Sequence, residues 1–141
     1  MPQQDWLMKE IEKIGSLLRA IIDRLIHINQ NEAIQAEDPF ETTKELLFNE
    51  INFDLDKFLT LDEADCDAYL HQFTGVNSAN LELLAEVFFQ LGINGDSASQ
   101  RMFLEKALQL YELCNTKDKT YSITREGKIN EIRNILAKVK G

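Results

Sequence analysis

The sequence predicts an all-α protein, and three observations carry that prediction. Apolar residues recur at spacings of three and four through most of the chain, beginning with Leu7, Ile11, Ile14, Leu18, Ile21, Leu25 and Ile28, the period of one helical face. Helix-start signatures recur at Asp38-Pro39-Phe40-Glu41, Thr60-Leu61-Asp62-Glu63 and Ser97-Ala98-Ser99-Gln100, each with a capping oxygen and an acid or amide three residues on. No Val-, Ile- or Thr-rich alternating run bounded by turn residues is present, so no strand is expected. With 2 Pro and 6 Gly in 141 residues, long helices are permitted almost everywhere.

The first expected element is a long amphipathic helix over 5–28, whose Leu7–Ile28 series is a heptad seam three repeats long. Met8, Gly15, Ile22 and Ile26 widen that stripe, and Trp6 beside it reads as an anchor in a helix contact. Leu7, Ile11, Ile14, Leu18, Ile21 and Leu25 can therefore pack on the chain's own body or form a self-association face. The polar stretch 29–37 is expected to be a linker, followed by a helical body over 38–141 within a single domain.

In that body, Asp38 caps and Pro39 suits the first turn. Phe40, Leu47, Ile51, Leu55 and Phe58 share a face, with a break near Asn52–Asp54. Thr60 is expected to cap a short helix carrying Leu61, Ala64, Ala68, Tyr69 and Phe73, which ends at Gly75 in a left-handed turn. The central pair follows, Leu81–Leu91 and Ala98–Cys114, started at Ser78 and Ser97 and joined through Asn94-Gly95-Asp96-Ser97. Ser122 or Thr124 opens the last helix, striped by Ile129, Ile132, Leu136 and Val139 and closed by Lys138 and Lys140. The count is about six helices.

A chain of this length forms one domain and buries roughly two-thirds of its unfolded surface. Its net charge of −9 argues against nucleic acid and anionic membranes, whose phosphates need clustered Lys and Arg. Charge is unevenly spread. Residues 32–71 hold twelve acids against Lys44 and Lys57, a balance of −10, whereas 116–141 hold seven bases against three acids, a balance of +4. The basic last helix is expected to meet an acidic surface in its own chain or in a second copy. No uninterrupted apolar run reaches the length of a signal peptide core or a membrane span. Cys66 and Cys114 lie far apart, which suits a reduced cytoplasmic protein.

Chemistry is sparse. Asp67 and His71 stand four apart with Cys66 adjacent, half of a metal site at most, and the other histidine, His27, is in the first helix. The acids from Asp54 to Asp67 lack the calcium-loop spacing and its turn glycine. Cys114 reads as a small buried residue, with Lys117 the one nearby cation in sequence. There is no phosphate-cradling glycine loop, no Gly-x-Ser-x-Gly elbow and no His-Glu-x-x-His. The residues thus propose no catalytic, cofactor-binding or metal-ligating set, and no cofactor.

The central hairpin, Asn80–Tyr111, resembles one tetratricopeptide repeat. Leu81 falls at that repeat's large aromatic, Leu84 at its leucine, Ala85 at its first small residue and Phe88 at its tyrosine. Leu104 falls at the aromatic of the second helix and Ala107 at its small residue. The turn is about three residues longer, Gln100 replaces a small residue, and Glu112 stands where proline would follow. The layout as a whole looks like small bacterial helical proteins, a resemblance that implies no activity. The repeat resemblance implies stacked antiparallel hairpins and a peptide-binding groove lined by the first helix, here Asn80, Glu82, Glu86 and Gln90. Without Lys or Arg, that surface would favour a basic or neutral segment. The expectation is a non-enzymatic protein–protein interaction or scaffold module that self-associates, a homodimer being the simplest form. The alternative is a small-molecule sensor or enzyme with a pocket between helices near Tyr69, Phe88 or Phe103.

Overall fold

The computed structural model describes residues 2–30, 38–119 and 122–139, apart from the side chains of residues 2, 3 and 97. Among them are seven α-helices and no strand: α1 (Pro2–Gln30), α2 (Pro39–Ile51), α3 (Leu55–Thr60), α4 (Glu63–Leu70), α5 (Ser78–Asn94), α6 (Ser97–Asp118) and α7 (Ile123–Val139). The seventh helix arises where one was expected over Phe40–Phe58. Asn52 enters the left-handed region at φ 60°, and its N–H and that of Phe53 return to the last carbonyls of α2. Asparagine tolerates that conformation better than most residues. Asp54 then restarts the chain by accepting from Lys57 N–H.

The helix starts differ from the expected ones by one or two residues. The capping oxygens belong to Asp62, Asn77 and Asp96, accepting from the N–H groups of Asp65, Asn80 and Ser99, rather than to Thr60, Ser78 and Ser97. Thr60 instead closes α3, its hydroxyl donating to Lys57 O. Asp38 and Ser122 do cap, accepting from Phe40 and Arg125 N–H. Of the expected linker, Asn29 and Gln30 belong to α1, and 31–37 lie outside the described residues, as does Lys140.

α5 and α6 form the antiparallel centre. Gly92 near the end of α5 meets Leu104 near the start of α6, where an added β-carbon would lie 2.7 Å from the leucine. At the other end Cys114 Sγ faces Ser78 O at 3.9 Å. α1 runs parallel to α5. Asn80 Nδ2 donates to Ile11 O at 3.0 Å and Asn94 Nδ2 to Leu25 O at 3.4 Å, pairs 69 residues apart. α7 lies along α6 and α5. The short helices α2–α4 pack over the remaining face through an aromatic group of Phe53, Phe58, Tyr69 and Phe73, joined to the centre by Phe58 on Phe88 at 5.8 Å. One apolar core unites Ile14, Leu18, Ile21 and Leu25 with Leu84, Phe88, Leu104 and Ile132.

Gly75 is not left-handed, since no glycine among the described residues has positive φ. Its reason is space. A β-carbon there would lie 2.7 Å from the backbone oxygen of Glu10, so only glycine lets the α4–α5 loop pass under α1.

Candidate functional site

The heptad seam of α1 divides in two. Ile14, Leu18, Ile21 and Leu25 are buried in the chain's own core. Ile11 is half-buried, and before it the helix continues beyond the loop at Gly75 with three consecutive large apolar residues in solvent: Trp6 54%, Leu7 37% and Met8 55% exposed. Isolated exposed apolar residues are ordinary, but three in succession leave much of this helix turn apolar around its circumference. Of the six self-association candidates, only Leu7 and Ile11 therefore remain open to an external partner.

The outer residues of α5 are engaged internally. Asn80 is buried, donating to Gly75 O at 2.7 Å as well as to Ile11 O. Gly15 gives it room, because a β-carbon there would lie 2.9 Å from Asn80 Oδ1. Gln90 is also buried, its Oε1 accepting from Asn29 Nδ2 at 2.8 Å. Glu82 and Glu86 face α7. Arg125, 5% exposed, donates through Nε to Glu82 Oε1 at 2.7 Å, through Nη1 to Asn115 Oδ1 at 2.9 Å and through Nη2 to Asp118 Oδ2 at 3.1 Å. Lys128 Nζ lies 3.7 Å from Glu86 Oε1 and 4.0 Å from the Phe89 ring centroid.

The basic last helix thus meets acids of its own chain, drawn from α5 and α6 rather than from the acidic stretch 32–71. Burial pushes the Glu86 carboxyl above its ordinary value, with Lys128 and Gln90 pulling against it. Burial likewise raises the Cys114 thiol to about 12, although the Arg125 charge opposes the shift.

Asp67 and His71 share an open cleft of about 340 Å³ with Asn77, Ser78 and Lys117. His71 Nδ1 is 2.7 Å from Asp67 O and 3.5 Å from its Oδ1. Lys117 Nζ is 3.0 Å from the same Oδ1, a charge contact whose angles do not make it a hydrogen bond. Cys66 points away from this cleft into the core. Among the described residues no group of three or more His, Cys, Asp or Glu is placed to hold a metal ion.

Other open clefts include one of about 360 Å³ lined by Phe40, Leu91, Met102 and Phe103, and one of about 470 Å³ lined by Tyr69, Asn52 and Gln72. Phe88 is sealed in the core. Sequence reasoning overlooked Lys106, 7% exposed. Its signal was a lysine between Phe103 and Leu110 on the apolar stripe of α6.

The fold and these sites define an all-α helical bundle with a protruding apolar helix end and open surface clefts. No helix among the described residues is long and apolar enough to cross a membrane. Compared with known proteins, the chain matches no family model, no curated protein and no solved structure.

Proposed function

We propose that this chain is a non-enzymatic protein-interaction module that pairs reversibly with a second copy of itself through the protruding first turns of α1. The observation that carries the reading is the exposed run Trp6-Leu7-Met8, set at the end of a seam whose remainder is already buried. Leu7 and Ile11 extend the face of Ile14 and Leu18 past the body, so a partner helix would complete the seam.

Electrostatics supports the same surface. Two copies of a −9 chain repel on most approaches. Residues 5–13, with Lys9 and Lys13 against Asp5, Glu10 and Glu12, are close to neutral. A patch of this size suits a transient contact rather than an obligate one. The repeat-like α5–α6 hairpin serves as the frame. A peptide could reach Glu82 and Glu86 only by displacing α7, so a groove along α5 is the weaker location for a partner.

Light scattering after size exclusion is expected to show mass rising with concentration. Leu7→Glu with Met8→Glu is expected to return the monomer while changing stability by less than about 0.5 kcal/mol, as for other exposed positions. A wild-type chain that stays monomeric at every concentration overturns the reading. Ile14 and Ile21 are unsuitable probes because both lie in the core.

A second reading, a small-molecule sensor or enzyme, is favoured by the cleft in which Asp67, His71 and Lys117 converge. A ligand retained in native mass spectrometry and lost in Lys117→Ala would favour it over the contact role.

A further inference from the structure

Lys106 sits on the buried side of α6, in no ion pair with a carboxylate among the described residues. Its Nζ donates to Leu61 O at 3.0 Å, Cys66 Sγ at 3.1 Å and Gln109 Oε1 at 3.3 Å, and lies 5.2 Å from the Phe58 ring centroid. Three donors meet three acceptors, one of them sulfur. Two of these contacts have a plain structural use, since Leu61 O is the open carbonyl at the end of α3 and a lysine there is favourable. The third places an amine against a thiol across the junction of α4 and α6, both nearly or wholly removed from water.

We propose that Cys66 and Lys106 are an oxidative modification site, joined by hydrogen peroxide into a covalent sulfur–oxygen–nitrogen bridge. Thiol with amine and thiolate with ammonium are the same composition, differing by one proton moved across the contact. In the first step sulfur attacks a peroxide oxygen; the S–O bond forms, the O–O bond breaks, and sulfenic acid and water result. Where sulfur reacts as the thiolate, the hydroxide leaving the peroxide takes the ammonium proton and departs as that same water. Nitrogen, now the free amine, attacks a second peroxide in the same way and becomes a hydroxylamine, releasing another water. The hydroxylamine oxygen then displaces water from the sulfenic sulfur. Sulfur and nitrogen each lose two electrons, and two peroxides become water, the third water coming from the condensation.

The geometry selects the bridge over a direct sulfur–nitrogen bond. A direct bond would require the two atoms to close nearly half their separation inside a packed core, whereas one inserted oxygen spans almost the existing gap. Peroxide access comes from α3 and α4, which at 6 and 8 residues are far below the length at which a helix is stable alone and open more readily than α5 or α6. Cys114 is an internal control: it is buried, its thiol is raised to about 12, and its sulfur faces Ser78 O, with no lysine hydrogen-bonded to it among the described residues.

The test is peptide mapping of the folded full-length protein after graded hydrogen peroxide, without reductant. The expected product is one cross-linked peptide pair containing Cys66 and Lys106, heavier than its parts by one oxygen less two hydrogens and released by dithiothreitol. Cys66→Ser and Lys106→Arg should each abolish it, and Cys114→Ser should leave it unchanged. Joining residues 40 apart should also raise the melting temperature of the oxidised chain. The proposal is overturned if Cys66 is driven to sulfinic acid with Lys106 unlinked while the chain stays folded. A pair lighter by two hydrogens, meaning a direct bond, overturns it as well. The wild-type map decides the matter even if a variant fails to fold.

Discussion

The α5–α6 centre with α1, and the α2–α4 face laid over it, are held in different ways. The first uses long helices and mainly aliphatic side chains, interlocked closely enough that Gly92 leaves no room for a β-carbon beside Leu104. The second uses helices of 13, 6 and 8 residues, too short to persist alone. These are pinned by aromatic rings and a few directed hydrogen bonds, such as Asp54 N–H to Tyr69 Oη at 2.9 Å. Long helices carry their own backbone bonding and need only a face to bury. Short ones depend on individual anchors, so single substitutions should loosen them locally before they unfold the rest.

The sharpest way to break the comparison is Phe58→Ala. Phe58 is fully buried and touches Phe53, Tyr69, Phe88 and Lys106, and truncation of such a ring costs about 3–5 kcal/mol. Hydrogen exchange should show amides of α3 and α4 losing protection well before those of α5 and α6. Uniform loss across all helices would mean the two regions are one cooperative unit. A smaller effect is expected for Tyr69→Phe, which keeps the ring and removes the acceptor of Asp54 N–H, at about 0.5–1.5 kcal/mol by chemical denaturation. An unchanged midpoint would mean that water replaces the hydroxyl.

The last effect concerns pH, appears only in alkali and belongs to the centre. The folded Cys114 thiol titrates near 12 against an ordinary 9.0, so the folded state holds its proton more tightly than the unfolded chain. That contribution is complete below pH 9 and is lost as pH rises toward 12. Melting temperature should fall more steeply over this window in wild type than in Cys114→Ala. Equal slopes would mean that the thiol is not isolated from solvent.

Several of these features were legible in the residues and others were not. The helical period alone located α5, α6 and α7, and the break at Asn52 was visible as a polar interruption of an apolar stripe. The caps were off because Asn77-Ser78, Asp96-Ser97 and Thr60 to Asp62 each offer two competent oxygens, and backbone geometry chooses between them. The heptad in α1 could not say whether its partner was internal, since a seam reads the same in either case. Asn80 and Gln90 looked like solvated residues. Their bonding partners in α1 lie 69 and 61 residues away, information that no local pattern holds. Lys106 was hidden for the same reason.

The parallel alignment of α1 with α5 has a consequence for how the molecule is made. Since both helices point the same way, the chain between them must travel back along the bundle before α5 can begin. During synthesis α1 therefore emerges before α5 can cover it, because that berth lies more than sixty positions downstream. The hairpin of α5 and α6 closes through near neighbours and should assemble quickly, whereas α1 waits on long-range closure. Until α5 is made, the isoleucine-rich side of α1 is the stretch most in need of shelter.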